Sequence, residues 1–223
     1  LKLNSKNQEK MKEIGAIIHS SVKKSTESLN VDLAAYKRWF MYIAKQVTKG
    51  AFQIDDRNRD LVNDLFLYFH FQKGRLDLRK GLWLEGPVGT GKSTLMQVFS
   101  QYLKSLQMGF RVYICSQVTT DYSLTGDLSR YLDNAGWSSS GPVPMCFDEL
   151  GREPLPAKYY GTELNVMQHI LHIRYSYWQI AGLRTFVTTN ANGNDIERLY
   201  GDFIRDRRKE MFNIIPVTGD SRR

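Results

Sequence analysis

Gly86-Pro87-Val88-Gly89-Thr90-Gly91-Lys92-Ser93 follows the pattern G-x-x-x-x-G-K-S. Glycines at 86, 89 and 91 permit a tight turn whose successive N–H groups converge on anionic oxygens, and the following helix adds its positive end. Lys92 can then reach the terminal phosphates of a nucleotide. Ser93 offers a hydroxyl to Mg²⁺, a cation that keeps most of its waters and takes one or two protein oxygens beside the phosphates. Pro87, Val88, Thr90 and Thr94 complete the loop and the first helical turn. A turn that merely contains glycines is the plain alternative. It does not explain the setting, because the apolar run Leu82-Trp83-Leu84 precedes the loop and a helical pattern begins near Ser93. ATP or GTP binding is therefore the first expectation.

Further along, Pro144-Met145-Cys146-Phe147-Asp148-Glu149 is an apolar strand ending in two acids. Such a pair divides labour: Asp148 holds Mg²⁺ directly or through water, and Glu149 orients or deprotonates the attacking water. Alone, the pair reads as an ordinary strand-end turn. Its separation from the phosphate loop, which fits one strand and one helix, gives it meaning. Thr185-Phe186-Val187 leads to another polar strand end, Thr188-Thr189-Asn190, where an amide could donate to the terminal phosphate or hold the lytic water. The competing reading makes Asn190 a turn residue, in keeping with Asn192-Gly193.

These residues need elements to position them. Ser5 with Gln8 resembles a capping box, and Met11, Ile14, Ile18 and Val22 recur at helical spacing, which predicts a first amphipathic helix. Leu33, Tyr36, Phe40, Ile43 and Val47 repeat that spacing as far as Gly50, predicting a second helix packed on the first. A third is predicted over 56–71, with Leu61, Leu65, Tyr68 and Phe69 on one side. From Gly81 onward short apolar runs alternate with helical patterns. Strands are predicted at 81–85, 111–116, 143–147, 185–189 and 213–217, helices near 92–106, 124–132, 162–179 and 195–208, and a loop over 137–142. This alternation predicts an α/β class, a mostly parallel sheet covered by helices.

A chain of 223 residues with 42% hydrophobic content can bury a genuine core. No run approaches the roughly 18 apolar residues of a membrane span, and the opening Leu1-Lys2-Leu3-Asn4-Ser5 lacks the apolar stretch of a secretory signal. A cytoplasmic protein without a membrane partner is expected. The first residue is not Met, so the natural N-terminus is expected to be trimmed or to lie upstream. Cys115 and Cys146 each sit in a short apolar run and are expected to be reduced, buried strand residues. A net charge of +8 favours a polyanionic partner. Basic residues gather in the first fifty positions, where a solvated helix face is the alternative to nucleic-acid contact, and again at the C-terminal end, at Arg205, Arg207, Arg208, Lys209, Arg222 and Arg223. His169 and His172 stand at i and i+3 without a suitable carboxylate or thiolate, and an ordinary helix face is expected there.

Taken together, Gly86 to Ser93, Cys146-Phe147-Asp148-Glu149-Leu150-Gly151-Arg152-Glu153-Pro154, Thr188-Thr189-Asn190, Asp206-Arg207 and Gly219-Asp220-Ser221-Arg222-Arg223 resemble the DnaC/IstB-like AAA+ ATPases. The resemblance covers roughly residues 52–223. It implies a P-loop AAA+ core with a parallel five-stranded sheet in the order 5-1-4-3-2, flanked by helices. It also implies an N-terminal helical extension, residues 1–51, as a partner-binding region, and an ATPase domain at 52–223 with no C-terminal lid domain. ATP is hydrolysed with Mg²⁺ at the subunit interfaces of a homo-oligomer, and the assembly binds DNA, often single-stranded. The protein partner is a replicative helicase or a transposase. Carried over, Lys92 and Ser93 become the Walker A contacts, Asp148 and Glu149 the Walker B acids, and Asn190 sensor 1. Arg207 becomes the arginine finger, with Arg205 in reserve. The ending resembles G-x-S-x-R, which places Arg223 near the nucleotide.

The leading functional expectation is thus a helicase loader or matchmaker whose assembly on DNA is controlled by ATP. Its nearest rival is an IstB-like transposition accessory ATPase. A P-loop small-molecule kinase is more remote, since two acids, an asparagine and late arginines suit attack by water better than transfer to a bound hydroxyl. A DNA-binding scaffold that scarcely hydrolyses ATP is disfavoured by an intact Glu149.

Overall fold

Leu82, Trp83 and Leu84 are completely buried, as a strand covered on both faces demands. They lie in β1, Gly81–Glu85, the second strand from one edge of a wholly parallel sheet. The computed structural model describes residues 33–132 and 143–222. The expected helix over Met11–Val22, the loop over 137–142 and Arg223 lie outside them.

In chain order the elements are α1 Leu33–Val47, α2 Arg59–Phe69, β1, α3 Lys92–Ser105, β2 Arg111–Ile114, α4 Cys115–Thr125, α5 Ser129–Leu132 and β3 Met145–Leu150. There follow β4 Ala157–Tyr159, β5 Thr162–Leu164, α6 Val166–Ala181, β6 Thr185–Thr189, α7 Gly193–Tyr200, α8 Asp202–Met211 and β7 Phe212–Pro216. The main sheet runs β2-β3-β6-β1-β7, and β4 pairs with β5 as a separate antiparallel hairpin. Counting the main-sheet strands alone in chain order, this is 5-1-4-3-2, as expected.

Alternation along each strand sorts the core into two layers. Leu82, Leu84, Cys146 and Phe186 face a cluster shared with α1, α2 and α3. Trp83, Phe147 and Val187 face the other way, onto α4, α6, α7 and α8. The helix α1 shares the first layer: Phe40 packs 4.7 Å from Phe99 and 5.3 Å from Tyr102, ring to ring. Among the described residues no helix is long and apolar enough to cross a membrane.

Several boundaries differ from expectation. Cys115 and Ser116 open α4 instead of ending β2, and the helix predicted from 124 begins nine positions earlier, at Cys115. Cys115, Val118, Thr119 and Tyr122 form its buried stripe, so tertiary burial overrides the weak helix preference of a Thr-rich segment. The hydroxyls of Thr119, Thr120 and Thr125 each donate to the carbonyl four residues back. Thr162 to Leu164 belong to the hairpin, and α6 starts only after the Asn165 side chain caps it. The helix expected over 195–208 is two helices, broken at Gly201, whose φ of 82° and ψ of 165° suit glycine. Both thiols are free and buried, and burial pushes them well above the usual cysteine range.

Candidate active site

The phosphate loop joins β1 to α3 at the C-terminal ends of the parallel strands, where α/β folds place ligands. Two glycines are required by their surroundings. A Cβ on Gly86 (φ 153°) would lie 2.0 Å from the Val217 carbonyl oxygen, and one on Gly89 (φ 87°) would lie 2.4 Å from Ser221 Oγ. The root of the loop is tied on both sides, by Gly86 N–H to the Thr189 carbonyl (3.2 Å) and Val217 N–H to the Glu85 carbonyl (2.7 Å). Arg208 of α8 adds an ion pair to Glu85 at 2.6 Å.

Lys92 is buried, and its Nζ donates to the carbonyls of Gly86 and Pro87, both at 2.7 Å. It also donates to Asn190 Oδ1 at 2.9 Å. The first and third motifs of the sequence therefore meet in space. Burial holds the ammonium below the usual lysine range, while the charges of Asp148 and Glu149 act in the opposite direction. Ser93, Thr94, Glu149, Thr188, Thr189 and Asn190 line the same cavity, of about 120 Å³.

Behind it lies Asp148, buried, its carboxylate accepting a short hydrogen bond from Thr188 Oγ1. The same Thr188 oxygen accepts from the Glu149 amide at 3.0 Å. Glu149 has a φ of 59°, rare for a residue with a Cβ, and sits where the pairing of β3 with β6 shifts between Phe147 and Leu150. Such a bulge re-aims a side chain, and the conformation costs roughly 1–3 kcal/mol that the surrounding ladder must sustain. Arg152 approaches the Glu149 carboxylate at 3.9 Å. Just beyond, the buried Glu153 accepts from Gly151 N–H at 2.9 Å and from Tyr200 OH, anchoring the turn after the acids.

A second cavity of about 410 Å³ adjoins the first and shares Gly91, Lys92, Thr94 and Arg222 with it. Its other walls include Phe52, Asn58 and Val217. The segment before α2 and the C-terminal tail meet over this region. Arg222 Nη2 pairs with Asp55 Oδ1 at 2.7 Å, Arg57 pairs with Asp220 at 3.3 Å, and Arg222 N–H donates to the Gly89 carbonyl at 2.9 Å.

Neither finger candidate lines the phosphate cavity of its own chain. Arg205 pairs with Glu197 (2.7 Å) and Asp206 (3.3 Å). Arg207 lies over the rings of Phe203 and Tyr175, 3.2 and 4.1 Å from their centroids. It also bonds His172 Nδ1 at 2.9 Å. Burial and the Arg207 charge both hold His172 below the usual histidine range, so its neutral ring can accept that bond. Among the described residues no cluster of three or more His, Cys, Asp or Glu could hold a metal.

No family model and no curated protein matches this sequence. Solved structures do match. DnaI is 19% identical with a TM-score of 0.55, over 76% of this chain and 86% of that one. A candidate primosome component from Streptococcus pyogenes serotype M3 gives 18% and 0.54, over 76% and 84%. The DnaC helicase loader gives 16% and 0.52, over 74% and 92%. The chain shares the fold of the DnaC and DnaI structures.

Within that fold two contributors are not evident from sequence alone. Thr188 belongs to the Thr-Thr-Asn strand end, where residue type and position single out only the amide. At the tail the resemblance to G-x-S-x-R favours Arg223, which lies outside the described residues, while Arg222 beside it lines both cavities. The signal for Arg222 is the adjacent Arg-Arg pair, which linear spacing does not resolve.

Proposed function

We propose that this protein is an ATP-hydrolysing AAA+ protein of the helicase-loader type, acting on DNA as a homo-oligomer whose assembly is controlled by ATP. The observation that carries the reading is the meeting of Lys92 Nζ with Asn190 Oδ1 beside Glu149, at the switch between parallel strands. The donor set fits a triphosphate with Mg²⁺: loop amides opened by Gly86 and Gly89, the Lys92 ammonium and Ser93 hydroxyl that line the cavity, and the buried Asp148 carboxylate behind it. The larger cavity has room for a base and sugar.

In this reading loop amides and Lys92 bind the β- and γ-phosphates, and Ser93 and Asp148 hold Mg²⁺, which when bound neutralises charge between those phosphates. Asn190 orients the attacking water, and Glu149, aimed by its bulge, takes the water's proton. Arg207 of a neighbouring subunit completes the site, with Arg205 in reserve. Residues 1–51 carry partner contacts and 52–223 form the ATPase domain. A replicative helicase is the protein partner under this proposal.

Lys92→Ala and Glu149→Gln test it together. The alanine variant should lose tight binding of a fluorescent ATP analogue. The glutamine variant should bind the analogue at wild-type affinity and hydrolyse ATP at least about 100-fold more slowly, the lower end of what a positioned acid or base contributes. Wild-type turnover in the glutamine variant removes the base assignment, and analogue binding by the alanine variant removes the cradle.

A further inference from the structure

Trp39 and Tyr42 are large rings that α1 leaves 42% and 53% exposed. They stand one turn apart and stack, centroids 5.1 Å from each other at 16°. Trp39 Nε1 donates to Ser105 Oγ of α3 at 2.9 Å, which pins the indole across the two helices. Beside the pair runs a groove of about 610 Å³ lined by Ile43, Gln46 and Val47 of α1 and Gln101, Lys104 and Ser105 of α3. Core packing does not account for these rings, because α1 buries Phe40 and Ala44 on its other side. Contiguous exposed rings of this kind mark an interaction surface.

Charge decides what that surface fits. Residues 33–54 and 92–120, which contain both helices and their continuations, include no Asp or Glu. Exposed Lys45 and Lys49 follow Tyr42 at helical spacing, and exposed Lys104 of α3 lines the groove opposite Ile43, Gln46 and Val47. The acids of α2 belong to the other flank, where Lys37 bonds Asn63 at 3.3 Å and Asp64 pairs with Arg75 at 2.6 Å. Flat rings stack on any base, ammonium groups take up phosphates, and these two described segments bring no carboxylate to repel them. A groove rimmed by lysine and two glutamines suits an apolar protein helix less well.

We propose that the Trp39–Tyr42 face of α1, with Lys45, Lys49 and Lys104, is a binding platform for single-stranded nucleic acid. It rests on the nucleic-acid part of the proposed function and is a different place from the nucleotide site, with which it shares only the wall at Val47. Bases stack on the outer face of Tyr42, and the backbone runs along the lysines.

Anisotropy of fluorescein-labelled oligo-dT, titrated with the full chain over a salt series, tests this. Tyr42→Ala should weaken binding about tenfold, within the range for loss of one stacking ring, and Tyr42→Phe should restore it. The combined variant Lys45→Gln, Lys49→Gln, Lys104→Gln should flatten the slope of log K against log salt by about 2, since each phosphate left without its ammonium removes roughly 0.7. Binding of a fluorescent nucleotide should stay at the wild-type level in every variant. If wild type binds oligo-dT and both variants match it in affinity and slope, the platform is overturned while DNA binding elsewhere stands. If wild type does not bind oligo-dT, the platform and the DNA reading both fall. Unchanged oligo-dT affinity with loss of helicase binding would assign the face to a protein and also overturn the proposal.

Discussion

One hydroxyl governs two acids. Thr188 Oγ1 donates to the Asp148 carboxylate and accepts from the Glu149 backbone amide, so it holds in mutual register the two acids that the proposed function assigns to metal binding and proton transfer. Valine would keep the shape and remove both bonds. Thr188→Val should lower ATP turnover about 10- to 100-fold, the usual effect of losing an outer partner of a metal site, with nucleotide affinity falling less and serine restoring the rate. Steady-state hydrolysis beside analogue binding checks this; a valine variant turning over like wild type would make the hydroxyl idle. Lys92, Asn190 and Glu149 could be picked from the sequence because each ends or follows an apolar run at a recognisable offset. Thr188 could not. Its task depends on the lateral pairing of β3 with β6 and on a bulge that appears only when the strands lie side by side. The same holds for Arg222, which the path of the tail against Gly89 brings to the cavities.

At the scale of elements, strands buried on both faces were readable as unbroken apolar runs, and β1 and β6 fall where the runs predicted them. The junction of β2 with α4 was not, since Cys-Ser-Gln-Val-Thr-Thr reads as a polar strand end until its 3.6-residue stripe finds a core to face. Gly201 hid inside a helical pattern for a related reason: only its backbone angles reveal a break. Helices α2 and α3 are joined by a polar contact with a pH consequence. His70 Nδ1 donates to the Phe66 carbonyl and Nε2 accepts from Tyr102 OH, each at 2.8 Å, which fixes a neutral ring. Burial holds this histidine below its ordinary 6.5. Between that lowered folded value and the unfolded one, the unfolded chain binds more protons, so stability falls as pH drops through the window. Urea unfolding at about pH 7 and about pH 5 should show a loss in wild type that His70→Gln, which cannot take a proton, largely lacks. Equal losses in the two proteins would place the acid sensitivity elsewhere.

For the whole molecule, α8 presents Arg207 on one side and inserts Arg208 on the other, against Glu85 at the root of the phosphate loop. Arg207 does not line the phosphate cavity of its own chain, so under the proposed function it acts on a neighbour's. Arg207→Ala should bind ATP yet hydrolyse it about 10³-fold more slowly or worse, as for other arginine fingers. Mixing it with Lys92→Ala subunits should recover part of the rate, because each variant supplies what the other lacks. Activity that stays additive in mixtures at every ratio would argue for a site complete within one chain. The clasp of Asp55 on Arg222 and Arg57 on Asp220 has a practical corollary. A protease cutting within residues 217–222 must first pry Arg222 off Gly89, and under the proposed function a lodged triphosphate would hold that segment down. The pace of cutting thus becomes a label-free gauge of how many copies are charged with fuel at any moment.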